Sequence, residues 1–312
     1  MKRPHKQIFA RGTNWSLAAL LSLVLLLTAC SPSGQTPVIN YVFDDLGRLV
    51  TINGTPQRII SLAPSNTEIL FALGLGDKVV GVTDQDDYPP EALNKTKVEG
   101  YATPNIEKIV ALNPDLILVA HGTPMDVIIN LAGLGLTVYG IKTTDLDDLL
   151  NDIRRVGEIT DKEVEAQALT SAMESRIQAV TNQTGELEQR PRVFYMLWND
   201  PLWTAGSGTF IDELIEKAGG VNICQNITGY TMISIEEVIA RDPEIIITSS
   251  WPGVYEWAMN STELEVTAAR QSGSVYTCDD DLVQRPGPRL VEGLEWFAHF
   301  IHPEIFGEPG GS

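Results

Sequence analysis

Five aromatic side chains, Tyr101, Trp198, Trp203, Tyr230 and Trp251, stand in predicted loops or at strand ends of a 312-residue chain with only 6 Trp, 8 Tyr and 8 Phe. Rings gathered at loops can wall a slot for a large, flat, mostly apolar ligand. Ser65, Asp280 and Arg285 share those loops and could fix the rim of such a ligand. Each has a blander use. The rings could belong to a core. The run Asp279 to Asp281 either accepts hydrogen bonds from ligand amides or is a solvated loop. Arg285 either holds a ligand anion or pairs with that run. Catalytic chemistry is poorly represented. Gly206-Ser207-Gly208 completes neither a dinucleotide nor a phosphate loop and reads as a turn. Ser65 opens a capping box, Ser65-Asn66-Thr67-Glu68, which is a better job than a nucleophile's. No HExxH is present. His299 and His302 fall at a helix end, and only His121 is placed near the other loops. A bare ion needs several such ligands. No catalytic residue, cofactor or metal centre is expected.

The elements that must position these residues are organised around residues 161–184, which contain no Gly or Pro. Val164, Ala168, Ala172/Met173, Ile177 and Val180 recur at helical spacing. Thr160 or Asp161 can cap the start, with Glu163 and Glu165 in the first turn. At ~1.5 Å per residue this helix spans roughly 34 Å, the width of a small domain. On both sides of it, apolar strands alternate with helices. Residues 58–63, 78–83, 115–120 and 136–141 read as strands before it; 192–198, 244–249 and 275–278 read as strands after it. That order predicts parallel sheets covered on both faces. Residues 106–117 (IEKIVALNPDLI) and 235–246 (IEEVIARDPEII) match without a gap at an offset of 129. The expected fold class is α/β, with related lobes over 39–160 and 185–312 joined by one long helix. Ligands of such sheets sit beyond the carboxyl ends of the strands, so a cleft between the lobes is expected.

Charge and cysteines set the compartment. The formal net charge is −19, although Lys2, Arg3, Lys6 and Arg11 precede an apolar run from Leu17 to Ala29. So acidic a body argues against nucleic acid or an anionic membrane as ligand. Residues 1–29 have the layout of a secretory signal. Leu27-Thr28-Ala29-Cys30 resembles the bacterial lipobox, in which the cysteine becomes a lipidated N-terminus; a plain transmembrane anchor is the alternative. Residues 30–38 then form a polar tether. In an oxidising compartment Cys224 and Cys278 are expected to pair, closing a loop of about 55 residues and contributing roughly 3–4 kcal/mol; two separate buried thiols are the alternative.

The stretches RIISLAPSNTEILFALGLGDKVVGVT, NIEKIVALNPDLILV, ISIEEVIARDPEIIIT and RPGPRLVEGLEWFAHFIHPE resemble the periplasmic binding proteins for cobalamin and ferric siderophores, over residues 39–305. The resemblance implies two Rossmann-like lobes on a helical backbone, a metal-chelate ligand between them, and delivery to the membrane subunits of an ABC importer by a monomer. Tyr101, Trp203 and Tyr230 match cleft aromatics of the cobalamin binders, whereas Gln85 stands where a tyrosine is expected. Corrinoid is the first expectation, ferric siderophore the second and haem the third, since Tyr101 could be an axial ligand but lacks a basic neighbour. Glu107 and Glu236 occupy the same place in the two halves. Acids there complement a helix dipole; in the family, one on each lobe engages arginines of the importer. A nitrogenase- or chelatase-like enzyme would share the topology but needs cluster cysteines or paired histidines, and a surface adhesin is a weaker third class.

Overall fold

The computed structural model describes residues 1–2 and 39–307. The signal segment, Cys30 and the tether lie outside the described residues. The body opens with an antiparallel hairpin, β1 Ile39–Phe43 and β2 Leu49–Asn53. The first lobe then runs β3 Ile59–Ser61, α1 Pro64–Ala72, β4 Val79–Val82, β5 Thr96–Lys97, α2 Ile106–Ala111, β6 Leu116–Ala120, α3 Met125–Gly133 and β7 Val138–Ile141. Its strands form a parallel sheet of order β5-β4-β3-β6-β7. Two helices follow, α4 Leu146–Thr160 and α5 Glu163–Thr184.

The second lobe runs β8 Arg192–Met196, β9 Trp198–Asn199, β10 Leu202–Ala205, α6 Phe210–Lys217, β11 Val221–Asn222, β12 Tyr230–Met232, α7 Ile235–Arg241 and β13 Ile245–Thr248. It closes with α8 Val254–Asn260, α9 Ala268–Ser272, β14 Val275–Thr277, α10 Asp280–Val283, α11 Leu290–Ile301 and α12 Pro303–Phe306. Its parallel sheet has the order β11-β8-β13-β14. A small antiparallel sheet, β12-β10-β9, is an addition that the parallel-series reading of the second half did not contain.

Both main sheets are covered on both faces, because alternate residues along a strand point opposite ways. Ile59, Leu116 and Leu118 enter one core cluster while Ile60, Ile117 and Val119 enter another. In the second lobe Val193, Tyr195, Ile245 and Ile247 face one way, and Phe194, Met196 and Ile246 the other. The inward clusters of the two lobes are one: they merge through Ala166, Met173 and Val180 of α5. A shared core of this kind opposes free hinge motion, since separating the lobes would expose it to water.

The long helix is present, with a shifted stripe. Its buried face is Ala166, Thr170, Met173, Val180 and Thr184, whereas Val164 is exposed. The displacement is caused by α4. That helix ends at Asp161, which takes the left-handed conformation (φ 61°), so Asp161 closes α4 instead of capping α5. The two helices cross closely at Gly157, where an added Cβ would lie 2.5 Å from that of Ala166.

The internal echo maps onto equivalent elements. Asn105 caps α2 by accepting from the Lys108 N–H (3.0 Å), and Ser234 caps α7 by accepting from the Glu237 N–H (3.2 Å). Asn113 and Asp242 both adopt positive φ. Asp115 then accepts the Arg58 N–H (2.9 Å), and Glu244 accepts the Arg192 N–H (2.9 Å), each carboxylate pinning the start of a neighbouring strand.

Cys224 and Cys278 do not form the expected disulfide; both are free and buried. Cys224 follows β11 and Cys278 follows β14, at opposite edges of the four-stranded sheet. Three strand spacings are ~14 Å, beyond the roughly 7 Å Cα limit of a disulfide. Burial raises both thiol pKa values, that of Cys278 to about 12. Neither thiol is therefore expected to react with a thiol-titrating disulfide reagent in the native protein, and both should react on unfolding; rapid native labelling would contradict this burial.

One buried acid makes stability pH-dependent. Asp152 of α4 accepts from Thr143 Oγ1 at 2.7 Å. Burial, the largest cause, and the nearby Asp45 carboxylate raise its pKa from 3.8 to about 8. The folded state thus holds a proton that the unfolded state has lost between those values, so stability falls as pH rises through that window. The melting temperature should decline from about pH 5 to about pH 8, and Asp152→Asn should flatten the slope; an unchanged slope would exclude Asp152 as its source.

Candidate functional site

Sheet topology brings the carboxyl ends of both central strand pairs to one cavity of about 870 Å³ between the lobes. From the first lobe come Pro64, Ser65 and Asn66 after β3, Tyr101 after β5, His121 and Gly122 after β6, and Thr143 after β7. From the second come Phe210 at the start of α6, Tyr230 on β12, Trp251 after β13, and Asp280, Gln284 and Arg285 on and after α10. The volume lies at the upper end of those typical of ligand sites.

Tyr101 owes its position to a tight loop in which Asn105 N–H bonds Val98 O (2.9 Å) and Thr103 N–H bonds Gly100 O (3.2 Å). Its ring lies against Gly122, where an added Cβ would come within 3.1 Å of Cε2. A side chain at position 122 would press the ring back by a few tenths of an ångström. Tyr230 is held by the pairing of β12 with β10, opposite Ala205. Trp251 meets Trp198 edge-on at 6.2 Å and 83°. Trp198, whose Nε1 donates to Asp200 O (2.9 Å), therefore buttresses Trp251 from outside the cavity wall. Trp203 pairs with Trp198 across the small antiparallel sheet and is also outside the wall, as is Gln85.

Three polar expectations change their meaning. Ser65 is not an N-cap: Pro64 takes the first helical position of α1, Ala63 is the cap and offers no side chain, and Ser65 lies in the first turn on the cavity. Asp280 is committed within its own lobe. It accepts from Tyr195 Oη (2.9 Å), Gln284 Nε2, and the N–H and Oγ of Ser250 (both 3.0 Å). Arg285 is surrounded by Asp281 (2.7 Å), Asp87 (2.9 Å) and Glu68 (3.3 Å). Burial works against its charge, but these carboxylates outweigh it and raise its pKa.

Glu68, the last residue of the expected capping box, has its partners far away in the sequence. Its buried carboxylate on α1 receives Arg289 Nη2 at 2.6 Å as well as Arg285, so one acid of the first lobe ties down two arginines of the second. Arg289 also stacks on Tyr88, its guanidinium 3.8 Å from the ring centroid. On the far side of this group lies a second hollow of about 750 Å³, lined by Phe71, Tyr88, Lys95 and Arg289 among others. It holds none of the unpartnered buried polar atoms described next.

Among the described residues, buried side-chain polar atoms without a partner belong to Asn66, Thr123, Thr248 and Arg270. The first three follow or end β3, β6 and β13, at the cleft side of the sheets. Asn66, 1% exposed, lacks a partner at both amide atoms. Buried unpaired groups are rare and cost about 1–3 kcal/mol each; of the three, Asn66 lines the cavity, where its amide is free to meet a polar group of a ligand. Asn66 and Gln284 lie in loops that the sequence places at the cleft, but nothing in their type singles them out as ligand contacts; Phe210 reads only as the start of a helix.

Glu107 and Glu236 sit in the first turns of α2 and α7. Both are exposed, and neither takes part in an ion pair or side-chain hydrogen bond with another described residue, whereas the adjacent Glu237 is bound by Arg241.

Two parallel-sheet lobes on a helical strut, closing over one aromatic-walled cavity, define a bilobal binding protein. The family described as periplasmic binding protein matches residues 59–282, and the chain belongs to it. An ABC transporter substrate-binding lipoprotein of Bacillus subtilis, itself uncharacterized, is 35% identical over 311 residues, covering 93% of this chain and 98% of its own. The solved periplasmic vitamin B12-binding protein of Vibrio cholerae is 33% identical at a TM-score of 0.70, covering 81% of this chain and 99% of that one. A periplasmic heme-binding protein of Roseiflexus, solved in its apo form, is 26% identical at a TM-score of 0.71, covering 80% and 98%.

Proposed function

We propose that the protein is an exported lipoprotein, anchored through Cys30, that captures a corrinoid in the interlobe cavity and delivers it to an ABC importer. The observation that carries the ligand class is the charge of the cavity wall. Among the described residues the one arginine or lysine of that wall, Arg285, is already matched by three carboxylates, those of Glu68, Asp87 and Asp281, and Asp280 adds a further negative charge. Tyr101, Tyr230, Trp251 and Phe210 supply apolar faces for a macrocycle. A ligand bearing carboxylates, such as haem, would bring anions to an acidic wall without a free arginine; a corrinoid brings neutral amides. The same charge argument favours a neutral ferric hydroxamate as the second reading.

Titration of the purified protein with cyanocobalamin, a ferric hydroxamate and haemin, followed by tryptophan fluorescence, tests this. Cyanocobalamin should quench at stoichiometric ratio, and Trp251→Ala with Tyr101→Ala should weaken binding by about 10–100-fold, from roughly 0.5–1.5 kcal/mol per ring beyond the area lost. Saturation by haemin alone would overturn the reading.

A further inference from the structure

We propose that the outward face of the β1–β2 hairpin is a membrane-contact surface that seats the body on the bilayer holding its anchor, a proposal that rests on the lipid-anchor reading of Cys30. In the ladder, Phe43 pairs with Leu49 and Tyr41 with Thr51, so these side chains share one face. The opposite face is buried: Val50 and Ile52 enter the shared core and Val42 packs against it. A hairpin with one covered face ordinarily turns polar residues to water. Here Tyr41, Phe43 and Leu49 are 67%, 69% and 60% exposed.

Two further observations select a lipid surface as the occupant. The face carries no formal charge, since Tyr41, Phe43, Leu49, Thr51 and Asn53 are all neutral, in a protein of net charge −19. The neighbouring Arg48 is held by Asp44 at 2.5 Å. This face can therefore approach headgroups without the repulsion that the acidic body would meet at anionic lipid. It also adjoins the anchor covalently. Residues 30–38 reach at most about 30 Å when extended and about 17 Å as a flexible coil, so strand β1 is confined to the membrane's immediate neighbourhood. Tyrosine and other aromatic side chains suit the interfacial zone, where a ring is buried and a hydroxyl stays wet.

The test uses residues 31–312 with an N-terminal histidine tag in place of the lipidated cysteine, held on phosphatidylcholine vesicles by nickel-chelating lipid. Because Cys224 and Cys278 are buried, Thr51→Cys can be labelled selectively with an environment-sensitive fluorophore, leaving the apolar residues in place. Tethering should shift the emission to the blue and raise it at least about twofold. The same label at Ser171→Cys on α5 should not respond, and the triple variant Tyr41→Ser, Phe43→Ser, Leu49→Ser should abolish the response at position 51. A position-51 signal that stays aqueous on vesicles overturns the proposal. So does one that is already blue-shifted in solution and rises with protein concentration, which would make a second copy the occupant. A signal lost on deleting residues 31–38 would assign the face to the tether and overturn it likewise. Detergent-phase partitioning of the full-length chain and its Cys30→Ala variant tests the anchor separately.

Discussion

Cells whose only copy of this protein carries Glu107→Arg with Glu236→Arg should take up no ligand through this system, while the purified variant binds as tightly as the parent. The two carboxylates lie in equivalent first turns, capped by Asn105 and Ser234, one on each lobe. Both are exposed, and neither is paired among the described residues, which leaves their charge for a partner. A pair of acids on a body whose lobes share a core would orient it on a two-fold membrane partner and steer the encounter. Reversal puts like charges against the partner at two points, and several kcal/mol of repulsion amounts to more than about a hundredfold in association. Loss of the helix-dipole term costs only about 0.3–1 kcal/mol per helix, too little to unfold the protein. Each single reversal should give an intermediate uptake defect. Normal uptake in the double variant would remove the docking role, and lost ligand affinity would show that the residues serve the cleft.

Glu68→Ala should destabilise the protein by about 3–5 kcal/mol in chemical denaturation, the usual result of removing one partner of a buried ion pair. Two guanidinium groups of the second lobe converge on this buried carboxylate of the first, at 2.6 Å and 3.3 Å. Without it, Arg289 keeps its stacking on Tyr88, and Arg285 keeps Asp87 and Asp281. Both remain partly desolvated with less negative charge to offset them. Glu68→Gln should fall between the two, since it keeps hydrogen-bond acceptance but not charge. Because Arg285 lines the cavity and Glu68 lies behind it, the substitution should also alter ligand affinity. A melting temperature unchanged in Glu68→Ala would mean that the shared core alone joins the lobes.

Composition and periodicity were enough for the α/β class, the two similar lobes and the long helix between them. Those features are local: strand and helix periods, Gly and Pro punctuation, and caps such as Asn105 and Ser234 act within a few residues of themselves. The equivalence of Glu107 and Glu236 was likewise legible, since a repeated stretch folding into the same helix and strand must place equivalent residues alike. Tyr101, Tyr230, Trp251, Ser65, Asp280 and Arg285 could be assigned to one cavity because parallel sheets gather their loops at one end.

What only the tertiary structure decided concerns pairs far apart in sequence. Whether Cys224 could reach Cys278 depended on which edges of the sheet β11 and β14 occupy. The partners of Glu68 and Arg285 come from the opposing lobe, and the unpartnered amide of Asn66 is visible only when every neighbour is in place. Trp198 and Trp203 left the cavity for a small antiparallel sheet that no alternation of parallel strands announces. Residue type and spacing determine which backbone segments form and which way they face. Which polar group meets which counter-charge is set by packing, since burial removes the water that would otherwise satisfy each of them.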